Sequence, residues 1–315
     1  MTKNRGDELD RRGLLRCAGW AGTGALFVMS GGIASSITLD SALAATPRSS
    51  KVKPFTFLQI SDSHIGFDKP ANPNARGTFI EAVAKVKTMP VKPDFILHTG
   101  DISHLSKDSE FADADDIIKE AGVPVFHVPG EHDMLDEGGG KAYLDRYGKG
   151  SVGGLGWYSF DHDGVHFVGL NNVSNLKAGG MAHLGHDQIA WLKKDLGGLS
   201  SSTPIVVFAH IPLWTVYGPW GWGTDDSVEA LSFLKRFGSV TILNGHIHQI
   251  IQKVEGNISF HSARSTAYPQ PAPGAAPSPG PLKVPAEQLH GVLGIRTATL
   301  VRGREGIALI DQNLA

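Results

Sequence analysis

From Pro54 onward, short apolar runs alternate with stretches of helical spacing. Residues 55–60 (Phe-Thr-Phe-Leu-Gln-Ile) read as a buried strand, and Phe79, Val83 and Val86 predict an amphipathic helix over 78–89. A second strand follows at 94–98, a helix marked by Phe111, Ala114, Ile117 and Ile118, and a strand over 123–128. This rhythm predicts a layered α/β domain. In the middle, 157–160 and 165–170 flank Asp161-His162-Asp163-Gly164, a hairpin signal. Residues 184–192 enter a helix, 204–209 form a strand, 228–237 a helix, 240–243 a strand and 258–260 another. The segment 268–285 is dense in Pro, Ala and Gly and reads as an extended surface loop. Residues 293–301 and 306–311 predict a closing hairpin, and no internal repeat is present. The pattern gives one domain with two sheets packed between helices.

The N-terminus has a different pattern. Arg11-Arg12-Gly13-Leu14-Leu15 is a twin-arginine pair followed by apolar residues, and a Gly/Ala-rich, moderately hydrophobic stretch runs over 17–39. Ala42-Leu43-Ala44 is a small-x-small cleavage signal. Glycines at 19, 22, 24, 31 and 32 make this stretch a poor spanning helix. Residues 1–44 are therefore expected to be a twin-arginine export signal and 45–315 the mature domain, periplasmic or secreted, with no stable membrane insertion after cleavage. Beyond Ala44 the chain has 24 Lys/Arg against 27 Asp/Glu, a formal charge of −3. That offers no electrostatic footprint for nucleic acid. The single cysteine, Cys17, precedes the expected cleavage point, so any metal must be held by imidazole and carboxylate, a donor set that suits Fe, Mn or Zn.

The candidate chemistry lies in five polar clusters: Asp62-Ser63-His64, Gly100-Asp101, Gly130-Glu131-His132-Asp133, His210 and Gly245-His246-Ile247-His248. Each follows a predicted strand, and that edge of an open α/β sheet is where ligand sites form. His246 and His248 are expected to alternate sides on an extended segment, while Asp62 and His64 can share one ion only if the chain turns between them. Two ions about 3.5–4 Å apart clamp a phosphoryl group and generate a nucleophile.

In this order the clusters resemble the calcineurin-like metallophosphoesterases, and the resemblance runs from about Phe55 to His248. It implies a four-layer α/β/β/α sandwich, with two mixed sheets flanked by helices. It also implies two divalent or trivalent ions (Fe, Mn or Zn) and a small-molecule phosphoester hydrolysed by metal-bound hydroxide. By position, Asp62, His64 and His248 would hold the first ion and Asp101 would bridge. His210, His246 and position 131 would hold the second. His132 would assist the leaving group, oriented by Asp133. One position departs from the family pattern: Glu131 stands where Asn is usual. A carboxylate there adds negative charge, which favours a phosphodiester over a phosphomonoester; a residue turned away to pair with a cation is the alternative. A phosphomonoesterase and a non-catalytic metal-binding protein are the competing functional readings.

Other residues receive quieter expectations. His98, His127 and His166 lie inside apolar runs and read as core histidines. His104 is placed to back a ligand or the phosphate, and His183 and His186 read as surface or capping residues. The stretch 214–222 contains three Trp and one Tyr and reads either as a self-packed loop or as a pocket wall. Asn171-Asn172 lie close enough to a strand end to reach the site.

Overall fold

The computed structural model describes residues 54–177, 179–301 and 306–315, together with the backbone of two strands in the N-terminal region. The chain divides into two units, Met1–Ser50 and Lys51–Ala315. Within the first, β1 (Ala25–Ser30) pairs antiparallel with β2 (Ile33–Thr38). Arg11, Arg12 and the 42–44 cleavage signal lie outside the described residues.

The second unit holds two sheets. The five-stranded sheet uses β3 (Phe55–Ile60), β4 (Phe95–His98), β5 (Val125–His127), β12 (Gly294–Leu300) and β13 (Ile307–Asn313), in the order β13-β12-β3-β4-β5. The six-stranded sheet uses β6 (Tyr158–His162), β7 (Val165–Gly169), β8 (Ile205–Ala209), β9 (Val240–Asn244), β10 (Gln252–Glu255) and β11 (Ile258–Ser262), in the order β10-β11-β9-β8-β7-β6. Strands β3, β4 and β5 run parallel, as do β7, β8, β9 and β11. Strand β12 pairs antiparallel with β3 and β13 with β12, leaving β5 as a parallel edge, while β6 and β10 close the two edges of the larger sheet antiparallel to β7 and β11. The expected hairpins, β6–β7 and β12–β13, are both present.

Helix α1 (Ala75–Lys87) starts at Asn74, whose side chain accepts the Gly77 amide, a cap that satisfies one orphan donor. It buries Phe79, Ala82, Val83 and Val86. Helix α2 (Asp108–Ile118) buries Phe111, Ala114, Ile117 and Ile118 in the same apolar cluster, beneath Leu58 and Ile96 of the five-stranded sheet. Helix α3 (Lys141–Tyr147) adds Tyr143. On the far side, α4 (His186–Gly197) and α5 (Ser227–Leu234) pack Ile189, Leu192, Leu196, Ala230 and Leu234 onto Val168, Val207 and Ile242. Between the sheets lies a third apolar layer containing Phe57, Phe95, Leu97, Phe167, Phe208 and Leu243. The Phe57 and Phe95 rings stack at 5.2 Å, with Phe167 edge-on to both. Each such ring, fully buried, contributes roughly 2–3 kcal/mol. The result is the four-layer α/β/β/α sandwich. No helix among the described residues is long and apolar enough to cross a membrane.

Candidate metal centre

The five polar clusters follow the C-terminal ends of β3, β4, β5, β8 and β9. Backbone hydrogen bonds sew these loops together. The Asp62 amide donates to Gly100 O at 3.0 Å, the His64 amide to Asp101 O at 2.9 Å and the Gly245 amide to His210 O at 2.9 Å. Glycines permit the close approach. A Cβ on Gly130 would meet Asp101 Oδ1 at 2.1 Å, and one on Gly245 would meet Ser61 Oγ at 2.1 Å.

The turns are tighter than an extended chain. Asp62 (φ 53°), His64 (φ 40°), Asp101 (φ 52°), His246 (φ 69°) and His248 (φ 52°) all occupy the left-handed region. That conformation costs a side-chain-bearing residue about 1–2 kcal/mol and gathers at functional sites. It corrects one expectation. His246 and His248 do not alternate along an extended strand; each sits at a left-handed turn, with Ile247 buried between them. Asp62 and His64 do have the turn that sharing one ion requires.

Two groups of donor atoms result. In the first, Asp62 Oδ1 lies 3.2 Å from His248 Nε2, and His64 Nε2 lies 3.3 Å from His248 Nε2. In the second, Glu131 Oε2 lies 2.8 Å from His210 Nε2 and Glu131 Oε1 lies 2.9 Å from His246 Nδ1. Asp101 Oδ2 stands between them, 3.4 Å from both His64 Nε2 and His210 Nε2. Short as some of these separations are, Asp62 Oδ2, Glu131 Oε2, His210 Nε2 and His246 Nδ1 are all buried without a hydrogen-bond partner. Buried polar atoms normally have one. Here lone pairs converge on lone pairs, so the residues present fit a pair of cations.

The surrounding chain fixes which nitrogen is free. His210 Nδ1 donates to Thr99 O at 2.7 Å and His248 Nδ1 to Tyr268 O at 2.6 Å, leaving each Nε2 as an acceptor. Burial opposes ionisation of Asp62, but His248 and His210 hold its carboxyl down at about 2. Burial likewise opposes ionisation of Glu131, and His246 and His210 outweigh it, keeping the group well below the usual carboxylate range. Burial and the neighbouring His132, His248 and His104 push His64 well below the ordinary imidazole range, the neutral form a ligand needs. His210 moves the opposite way: burial lowers it, yet Asp101 and Glu131 raise it well above the ordinary value. The two carboxylates favour positive charge beside that nitrogen.

Glu131 faces His210 and His246, so the alternative in which it turns away to a distant cation does not occur. His132 is at the rim. Its Nδ1 donates to His104 O at 2.7 Å and its ring stacks on that of His104 at 4.8 Å. Burial would lower its pKa, but Asp101, Glu131 and the His104 carbonyl raise it, which favours a proton donor. Asp133 does not orient this ring. Its carboxylate accepts the amides of Ile102, Ser103 and Gly130 and the Ser103 hydroxyl, at 2.9–3.2 Å. It holds the backbone on either side of Asp101 and Glu131, while His104 orients His132.

Tyr268 carries no metal-site motif. It was expected to open a surface loop, yet it is 3% exposed, with its phenol 3.2 Å from His64 Nε2 and its ring against Phe67. Residues 268–271 belong to the centre, and mainly 272–285 are exposed. Of the aromatic stretch, Trp222 is fully buried with its ring 6.3 Å from that of His246, while Trp220 packs on it; the loop is largely self-packed and touches the centre. Asn171 and Asn172 do not reach the site: Asn172 donates to Ile211 O and Thr224 Oγ1, fixing the loop after His210. His98 is buried against Ser63, and His186 is exposed.

Comparison with known proteins identifies relatives of this chain. A probable cyclic nucleotide phosphodiesterase from Synechococcus sp. is 26% identical over 216 residues, covering 67% of this chain and 80% of the relative. The 3′,5′-cyclic adenosine monophosphate phosphodiesterase of Haemophilus influenzae is 28% identical over 198 residues, covering 61% of this chain and 69% of the relative. A dimetal phosphatase from Danio rerio shares the fold with TM-score 0.64 at 14% identity, covering 83% of this chain and 96% of that one. The family model described as calcineurin-like phosphoesterase matches residues 55–250, more than half of the chain. This protein therefore belongs to the calcineurin-like phosphoesterases and is a metal-dependent hydrolase of phosphoric esters.

Proposed function

We propose that this chain is an exported two-metal phosphodiesterase. Asp62, His64 and His248 hold one ion, Glu131, His210 and His246 the other, and Asp101 is shared. The observation that carries this reading is the set of buried, unpartnered atoms Asp62 Oδ2, Glu131 Oε2, His210 Nε2 and His246 Nδ1, all on residues of the two groups. Iron, manganese or zinc ions bound there supply Lewis acidity at the phosphoryl oxygens and a strong nucleophile at neutral pH. His132 holds a proton at the rim, where it reaches a leaving-group oxygen. His104 keeps that imidazole at a fixed angle, and Asp133 keeps the peptide planes beside Asp101 and Glu131 in register.

Glu131 supports the diester. A third carboxylate in the centre repels a dianion by an additional ~3 kcal/mol relative to a monoanion, taking about 5 Å and an effective dielectric of about 20, before screening by the ions. The two relatives named as cyclic nucleotide phosphodiesterases point to the same bond type. The test is Glu131→Asn, assayed with bis-p-nitrophenyl phosphate and p-nitrophenyl phosphate alongside metal content. The diester-to-monoester rate ratio should fall and second-ion occupancy should drop. An unchanged ratio at full occupancy would refute the role given to Glu131.

Export rests on Arg11-Arg12 and Ala42-Leu43-Ala44, with the twin-arginine machinery as partner. Fractionation of cells carrying Arg11→Lys with Arg12→Lys, and N-terminal sequencing of the mature protein, test it. Cytoplasmic retention and a mature terminus after Ala44 are expected. Mature protein that still reaches the periplasm at wild-type level in the double variant would refute the route.

A further inference from the structure

Among the described residues, one arginine is fully buried: Arg296, on β12 of the C-terminal hairpin, beyond the residues 55–250 that match the family model. Its fork closes on Asp311 of β13, with Nε 2.9 Å from Oδ1 and Nη2 3.0 Å from Oδ2. On its other side Nη2 donates to Ser262 O at 2.9 Å and Nη1 to Gln59 Oε1 at 3.2 Å. Asp311, Arg296 and Gln59 are thus direct cross-strand neighbours on β13, β12 and β3. The ion pair alone would only clamp the hairpin; the bond to Gln59 leads on toward the metal centre.

Gln59 is also fully buried, and its amide joins the two sheets. Nε2 donates to Thr99 Oγ1 at 3.1 Å and to Asn244 O, at the end of β9, at 3.1 Å. Both paths end at His210. Thr99 O is the acceptor that holds His210 Nδ1 at 2.7 Å. Asn244 Nδ2 donates to Ala209 O at 2.9 Å and to Ile211 O at 3.2 Å, the carbonyls on either side of that histidine. The Thr99 hydroxyl in turn donates to Ser61 Oγ at 2.6 Å, on the residue before Asp62. Direction is fixed along this line. A guanidinium has no acceptor, so Gln59 must turn its oxygen to Arg296 and its two hydrogens to Thr99 and Asn244. Without Arg296 the Gln59 oxygen would be buried with no donor, a condition native interiors avoid, and the amide would leave the position from which it serves both loops.

We propose that Arg296 is a positioning residue for the metal centre: it fixes the Gln59 amide, and through Thr99 and Asn244 that amide fixes His210. This rests on the two-ion reading above, and the experiment separates the two. Zinc affinity and stoichiometry of the full chain are measured by competition with a chromophoric chelator, and the melting temperature of the metal-free form is measured alongside. Arg296→Met should hold one of the two ions about tenfold more weakly. Gln59→Met should do the same, and the double variant should be no weaker than either single one, because the two residues act in one line. Asp311→Asn loosens the hairpin but leaves the bond from Arg296 to Gln59; it should lower the melting temperature and keep both ions at wild-type affinity. Wild-type affinity in Arg296→Met, or losses that add in the double variant, reduces Arg296 to a clamp of the hairpin and leaves the two-ion reading standing. If Arg296→Met does not fold, Gln59→Met and Asp311→Asn carry the test: full zinc affinity in the first, or an equal loss of affinity in both, overturns the proposal. Failure of wild type to bind zinc, manganese or iron overturns both readings.

Discussion

Two histidines in this fold each face a pair of carboxylates, and they demand different cations. His166, on β7, places Nδ1 2.8 Å from Asp161 and Nε2 2.9 Å from Asp195, both with hydrogen-bond geometry. Burial lowers its pKa, but the bonds to Asp195 and Asp161 more than offset that and raise it. His210 also faces two carboxylates, those of Asp101 and Glu131, yet its Nε2 makes no hydrogen bond with either and its Nδ1 is committed to Thr99 O. A proton satisfies His166 completely. A proton on His210 has no well-aligned acceptor, whereas a metal ion there would take lone pairs from all three groups. What separates a salt bridge from a metal site is thus the direction of the lone pairs, more than the residue types or their separation.

The sharpest way to break this contrast is to remove the shared carboxylate. Asp101→Ala should abolish phosphoester turnover and release ions from both groups in a metal analysis; retained turnover would mean that the convergent lone pairs do not serve catalysis. Second is His132→Ala, which should lower kcat about 10²–10⁴-fold with metal content unchanged, because it removes the proton donor and no ligand. Loss of ions in that variant would place His132 among the ligands. Third is Asp133→Asn, whose amide group would face backbone donors it cannot accept; denaturant unfolding should show a loss of roughly 2–3 kcal/mol. A variant as stable as wild type would show that those backbone bonds are dispensable.

The smallest effect is expected at His166, away from the centre. Its folded pKa is raised above the unfolded value, so its ion pairs contribute fully below the ordinary imidazole pKa, and that contribution is lost as pH rises through the folded value. Melting temperature should therefore fall from mildly acidic to mildly alkaline pH, and His166→Gln should flatten that slope. An unchanged slope in the variant would assign the pH dependence elsewhere.

Much of this was legible in the sequence. Phe55–Ile60, Ile205–Ala209 and Val240–Asn244 announce themselves as short, mostly apolar runs, and the donors that follow them emerge at the C-terminal ends of those strands. His166 reads as a core histidine from its apolar neighbours, but its ion pairs come from Asp195 on a helix distant in sequence, which periodicity cannot reveal. Asp133 follows His132 directly and so looks like its partner; the main-chain amides it serves carry no sequence signal. Tyr268 opens a stretch rich in Pro, Ala and Gly, and that composition masks a buried ring set by long-range packing on Phe67.

The left-handed turns at Asp62, His64, Asp101, His246 and His248 have an evolutionary consequence. Glycine at any of these positions would relax about 1 kcal/mol of backbone strain while deleting a donor atom. A library of this protein selected only for heat tolerance would drift toward glycine there, losing the centre while the aromatic layer between the sheets stayed intact.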